Sequence, residues 1–288
     1  MDGCTRQNPA YRPANGRAPS QGLFLLLSLV ATAIATAAAG AGGAAAAAPD
    51  AAASTRAPVD SWRPDVDRAR KYARRRGGDV RFAIVDPSGR FRDFHGGRTA
   101  PMASTVKVML LAAYLRRPSV RKRNLRRDER KLLGPMIRRS DDAAATRVRD
   151  IVGEGAIRRV ARDARMRHFR YSDSWGLCRS SAGDQARFMY RFDATIPARH
   201  EGYARNLLRS IVPSQRWGVA RARPKGWKLF FKGGWGIADG TVDHQVAFLR
   251  RREASVGLAI LSESNPGHEY GKRTLRGVAK RLLRGLGR

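Results

Sequence analysis

"APMASTVKVMLLAAYL", residues 100–115, sets a serine and a lysine one helical turn apart at the head of an apolar run. The spacing of Val106, Met109, Leu110, Ala113 and Tyr114 predicts a helix over 104–116 with that stripe buried. Ser104 and Lys107 then project together towards the helix N-terminus. Serine is a favoured N-cap, which accounts for Ser104 alone. The lysine needs another reason. The helix dipole disfavours a cation there, and an amine beside an apolar stripe must find partners or lose its proton. An amine that can be neutral is what a serine nucleophile needs as base. By itself S-x-x-K is a weak pattern, since Ser119-Val120-Arg121-Lys122 matches it too. That second match lies in "RRPSVRKRN", read as a polar loop with no apolar face to hold it.

Outward from this stretch, the chain alternates between periodicities. "DSWRPDVDRARKYARRRG" reads as a helix with Trp62, Val66, Ala69 and Tyr72 on one stripe, ended by Gly77-Gly78. "DVRFAIVDPSGRFRDFHGG" reads as a hairpin, with Val80–Val85 as one strand and Pro87-Ser88-Gly89 as the turn. Helices are expected near 104–116, 127–139, 141–151, 154–164, 181–193 and 203–212. Strands return at "WKLFFKG", "VDHQVAFLR" and "ASVGLAILS", and a basic amphipathic helix runs from about Glu269. One helix and two strands, a helical block, then three strands and a helix describe an α+β fold. The expectation is an antiparallel sheet flanked by the terminal helices, with an inserted all-helical lobe. The boundaries read from this order are an α/β lobe of 60–103 and 213–288 and a helical lobe of 104–212. A cleft between lobes is the natural place for a site.

Before residue 60 the text differs. Arg6, Arg12 and Arg17 precede the uncharged run Leu23–Gly40, which reads as a signal peptide or, given its long basic lead, a membrane anchor. An alanine-rich linker follows over 41–59. Either way the folded part is expected to be secreted or anchored outside the cytoplasm, in a bacterial cell envelope. Cys4 precedes the apolar run, so Cys178 has no partner for a disulfide and reads as a small core residue. Lysine plus arginine number 57 against 24 acids, a net charge of +33. Anionic wall polymers or a membrane surface suit that charge as well as nucleic acid does, and nucleic acid is disfavoured because no helix-turn-helix, zinc-finger or RNA-binding signature accompanies it. Neither G-x-S-x-G, H-E-x-x-H nor a Walker-type loop occurs, no cofactor is implied, and a monomer is expected. The histidines are dispersed, and His244, inside a predicted strand, reads as structural.

Two further motifs follow Ser104-x-x-Lys107 in order. "IRRSDDAAATRV" contains Ser140-Asp141-Asp142, and "FFKGGWG" contains Lys232-Gly233-Gly234 at the end of a predicted strand. S-x-x-K, then S-D-N, then K-T-G is the signature of the class A β-lactamases and penicillin-binding proteins. The chain resembles that family over roughly 60–288, and "SSAGDQARFMY" resembles the family's helix after its active-site loop. The resemblance implies Ser104 as nucleophile and Lys107 as candidate base. It implies Ser140 as the proton relay to the leaving nitrogen and Lys232 as the amine that polarises Ser140 and attracts a substrate carboxylate. The N–H groups of Ser104 and Trp235 would form the oxyanion hole, with Gly233 and Gly234 making room along the strand edge. The implied substrate is a β-lactam, a cell-wall D-peptide or an ester.

The departures from the pattern matter as much. Asp142 replaces asparagine, bringing a negative charge next to Lys107, which favours the ammonium and suits an amine-bearing substrate. Gly233 replaces the threonine whose hydroxyl would hold a substrate carboxylate. The loop "RMRHFRYSDSWGLCRS" lacks the glutamate that activates deacylating water in class A enzymes, and its one acid is Asp173. The expectation is acyl-enzyme chemistry without efficient β-lactam turnover. Alternatives are a true β-lactamase using Asp173, or a degenerate member that binds wall peptide or a protein partner. Of Trp217, Trp227 and Trp235, at least two are expected in the core.

Overall fold

The computed structural model describes residues 61–237 and 241–287. The run Leu23–Gly40, the linker and Cys4, and with them the expected signal or anchor, lie outside the described residues.

Helix α1 (Val66–Ala73) opens the described chain, its first turn capped by the Asp65 carboxylate on the Arg68 N–H. Strands β1 (Asp79–Val85) and β2 (Phe91–Phe94) form the expected hairpin. Its turn is organised by Asp86, fully buried, whose carboxylate accepts from Ser88 Oγ, the Arg90 N–H and the Arg92 guanidinium. Burial pushes that carboxyl up, and these donors overcome it and hold it below its ordinary value. After β3 (Thr99–Pro101) come α2 (Lys107–Leu115), α3 (Pro118–Arg121), α4 (Arg127–Arg138) and α5 (Asp142–Asp163). The short β4 (Arg179–Ser181) pairs with β3, and α6 (Ala182–Tyr190), α7 (Phe192–Thr195) and α8 (Ala198–Arg209) complete the helical block. Strands β5 (Lys228–Ile237), β6 (Thr241–Arg251) and β7 (Ala254–Glu263) precede α9 (His268–Leu282).

The five long strands make one antiparallel sheet in the order β2-β1-β7-β6-β5. Val242–Leu249 of β6 is buried without a break, so both faces of the sheet are covered. α9 packs with α1 on the sheet, and α6 packs against β1 and β7. The fit is close enough that Gly257 and Gly277 admit no Cβ, which would meet the α6 backbone in one case and the Tyr72 ring in the other. β5 is an edge strand, so alternate residues turn their peptide groups away from the sheet.

Several expectations need correction. The helix over 104–116 begins as a tight 3₁₀ turn, Ala103–Val106, and becomes α-helical only at Lys107. No apolar stripe distinguishes α2, because all nine of its residues are buried. Ser119–Lys122 is not a bare loop: α3 occupies it, pinned by the fully buried Val120. The helices over 141–151 and 154–164 form one element broken at Gly153, whose φ of 69° and ψ of 163° interrupt it. The helix over 203–212 starts earlier, after Pro197 at its N-cap, and ends at Arg209. Lys232-Gly233-Gly234 lies inside β5 rather than at its end, since the strand runs on to Ile237. Cys178 is buried, as are Trp217 and Trp227.

Candidate active site

The turn that carries Ser104 is fixed from three sides. Its Thr105 N–H and Oγ1 both bond the Met102 carbonyl, and Thr105 Oγ1 also meets Gln185 Oε1 of α6 at 2.8 Å. The Met102 N–H donates to the Cys178 carbonyl at 2.7 Å, tying the segment before Ser104 to the end of the 165–180 loop. From the sheet, β5 comes so near that a Cβ on Gly234 would lie 2.9 Å from Ser104 N and 3.0 Å from Thr105 N. Gly234 is therefore required by close backbone approach. Ala103, just before the serine, has φ of 46°, a left-handed conformation that alanine adopts only when its surroundings impose it. Ser104 itself is half-buried.

Ser140 occupies the corner between α4 and α5, also left-handed at φ of 60°. Asp141 caps α5 by accepting from the Ala144 N–H at 2.8 Å, which sets Asp142 in the first turn. The corner aims the Ser140 hydroxyl between two amines. Lys107 Nζ lies 3.1 Å and Lys232 Nζ 2.9 Å from Ser140 Oγ. Three distant parts of the chain, α2, the α4–α5 corner and β5, thus share one hydroxyl.

The two lysines differ in everything but that contact. Lys107 Nζ also donates to the Ser140 carbonyl at 2.6 Å and to Asp142 Oδ1 at 2.5 Å, and lies 4.7 Å from the centre of the Trp175 ring. Burial pushes its pKa down, and Asp142 pulls it part of the way back. Among the described residues Lys232 Nζ has one other acceptor, the Gly233 carbonyl at 2.7 Å, and touches no carboxylate. Complete burial, reinforced by the positive charge of Lys107, holds its pKa well below the ordinary lysine value. No hydrogen bond joins Ser104 Oγ to Lys107 among the described residues, although one turn separates the two in sequence.

Trp235 follows the motif on β5 and is half-buried, its ring 5.8 Å from Trp217 and 6.1 Å from His268. His268 Nδ1 lies 2.5 Å from Oδ1 of the fully buried Asp243, the register partner of Trp235 on β6. Burial raises the Asp243 carboxyl to about 6, against the pull of His268 and Asn265. This His–Asp pair on the aromatic wall was not legible beforehand. Its one signal is three polar residues, Asp243-His244-Gln245, inside an apolar strand. His244 is structural as expected: it is buried, its Nδ1 accepts from the Ser262 N–H, and burial lowers its pKa to about 4. Gln245 holds the Trp217 turn, Oε1 accepting from the Val219 N–H and Nε2 donating to the Trp217 carbonyl.

The 165–180 loop covers the site. Its 3₁₀ turn Trp175–Leu177 packs on the Ser104 turn, and Trp175 Nε1 donates to Thr146 Oγ1 of α5 at 3.1 Å. Asp173 is exposed, and its carbonyl accepts from Arg149. Among the described residues its carboxylate makes no bond to Ser104, Lys107 or Ser140. Among those residues, too, no three histidine, cysteine or acidic side chains are grouped to hold a metal ion.

The architecture is shared with solved proteins. A beta-lactamase from Sphaerobacter thermophilus superimposes with a TM-score of 0.67 at 20% identity, covering 77% of this chain and 97% of its own. A class A beta-lactamase from Mycobacterium abscessus gives 0.65 at 18%, covering 78% and 100%. An ancestral class A beta-lactamase gives 0.66 at 16%, covering 76% and 98%. At such identities the likeness concerns the fold. No curated protein is significantly similar in sequence. The sequence model of the beta-lactamase enzyme family, however, matches residues 122–286, more than half of the chain; the match takes in Ser140, Asp142 and Lys232 and begins beyond Ser104. The chain belongs to the beta-lactamase enzyme family.

Proposed function

We propose that the protein is an exported or membrane-anchored serine hydrolase of the β-lactamase and penicillin-binding type, with Ser104 as nucleophile. One observation carries the reading: Ser140 Oγ is shared by Lys107 and Lys232, the latter on the strand whose Gly234 abuts the backbone of a half-buried Ser104. Ser104 attacks the carbonyl of a β-lactam, a D-peptide or an ester. Its backbone N–H and that of Trp235, on the edge strand, receive the developing oxyanion, a geometry worth about a hundredfold or more in rate. Ser140 delivers a proton to the leaving group. Gly233 and Gly234 let an extended substrate lie along β5, and Asp142, exposed at the mouth, favours an amine-bearing one. The missing loop glutamate, and an Asp173 turned to solvent, support slow deacylation.

A second reading is favoured by the absent Ser104–Lys107 bond: a wall-peptide or protein-binding member without catalysis. Fluorescent penicillin and a chromogenic cephalosporin separate the two. Stable labelling of Ser104 with little colour is the expected result. Rapid colour supports a true β-lactamase. If wild type and Ser104→Ala behave alike with these reagents and with peptide and ester substrates, the binding reading stands and the hydrolase reading falls.

A further inference from the structure

The base in this site is decided by what surrounds the two amines. An ammonium carries three N–H donors. Lys107 has three acceptors for them: the Ser140 carbonyl, Ser140 Oγ and Asp142 Oδ1. Taking a proton from it would remove one of those bonds and leave Asp142 beside an uncharged amine. Among the described residues Lys232 has two acceptors, Ser140 Oγ and the Gly233 carbonyl. As an ammonium it would be a completely enclosed charge bonded to no carboxylate among the described residues. Trp235 offers only a distant ring, 5.7 Å from Nζ. Losing a proton removes that uncompensated charge and leaves a lone pair that can face the Ser140 hydroxyl.

We infer that the lysines divide the work opposite to their order in the chain: Lys107, locked by Asp142, is a permanent cation, and Lys232, acting through Ser140, is the proton acceptor for Ser104. The inference rests on the hydrolase reading above. Among the described residues the charges that reach Lys232 are Lys107, from α2, and Asp142, from α5, and burial together with the first of them favours the free amine. In the step itself, Ser104 Oγ forms a bond to the substrate carbonyl carbon as the carbonyl electron pair moves to oxygen. The Ser104 proton passes to Ser140 Oγ while the Ser140 proton passes to the Lys232 lone pair. When the tetrahedral centre collapses, the bond to the leaving atom breaks, that atom takes a proton from Ser140, and Ser140 is reprotonated by Lys232. Lys107 stabilises the transient charge on Ser140 throughout and keeps all three of its protons.

Two measurements on the full chain test this. In protein labelled with ¹³C-lysine, one side chain is expected to titrate far below the ordinary lysine range, with the signal absent from Lys232→Met and retained in Lys107→Arg. In kinetics, labelling of Ser104 by a fluorophosphonate or fluorescent penicillin is expected to fall about a hundredfold in Lys232→Arg, whose guanidinium cannot act as a base, and less than tenfold in Lys107→Arg. Adding Asp142→Asn to Lys232→Arg releases Lys107 and is expected to recover at least tenfold. Loss of the low-titrating signal in Lys107→Arg, or labelling that falls as far in Lys107→Arg as in Lys232→Arg, overturns the inference. If the titration is as expected while wild-type Ser104 takes no label, the proton assignment holds and the hydrolase reading is what fails.

Discussion

Glu129 of α4 shows how much a single buried carboxylate organises. Both its oxygens accept from the Arg123 guanidinium, at 2.7 and 2.8 Å, and one reaches back to the Arg126 N–H at 2.7 Å, closing the helix start. The Arg123 bonds, followed by the Arg126 N–H, outweigh burial and hold its pKa at about 2 against an ordinary 4.5. With the folded value depressed, the stabilisation is complete above about pH 4.5 and disappears as pH falls towards 2. Glu129→Gln is expected to cost about 2 kcal/mol in urea unfolding at pH 7, and to narrow the gap from wild type at pH 3. At this scale the sequence was half legible. Ser104, Lys107, Ser140 and Lys232 could be named because short motifs stand in a fixed order, and the structure brings both amines within hydrogen-bond distance of Ser140 Oγ. Trp175 over Lys107, and His268 against Asp243, could not be named. Each arrives from an element whose local pattern carries no mark of its partner, and only the sheet register and the loop path create the contact.

Among elements, α5 and β5 test the backbone argument most directly. Gly153 sits in a conformation that is almost restricted to glycine, yet open space surrounds it. Gly153→Ala is expected to destabilise by about 2 kcal/mol through backbone strain alone, measurable as a shift in denaturation midpoint with an unchanged m value. Gly234 is the converse, with ordinary φ and no room. A Cβ there meets the Ser104 and Thr105 amides, which are backbone and cannot swing aside. Gly234→Ala is expected to slow Ser104 labelling more than tenfold, with a stability loss of about 1–3 kcal/mol. Periodicity found the helices and strands but not their joints. The break in α5 lay between the two helices expected from the sequence, whereas the 3₁₀ start before Lys107 depends on Ala103 being forced left-handed by tertiary contacts. The same holds for α3, where four residues around one buried valine are too few to show a period.

For the whole molecule, the order helix, hairpin, helical block, three strands, helix was enough to give the antiparallel sheet and the inserted helices, because neighbouring strands in such an order pair with few alternatives. The pairing of β1 with β7, which closes the first hairpin onto the last strands, is what brings the two ends of the described residues 61–237 and 241–287 into one lobe. The charge of +33 acts at this scale too. Retention on anionic vesicles or wall polymer is expected at about 0.01 M salt and lost towards about 1 M, where the screening length falls to about 3 Å. Retention that persists at high salt would point to a specific contact instead of a field.

The helix that begins at Lys107 has no face to solvent. Each of its side chains is a structural member first, so the region immediately behind the nucleophile has little freedom to drift. Variation that tunes reactivity must come from outside that rod, in the Trp175 loop and along the margin of β5, the two surfaces that press on the serine without belonging to the core. Diversity among natural variants should therefore collect in those two places, and directed evolution towards a new acyl donor should find its gains there.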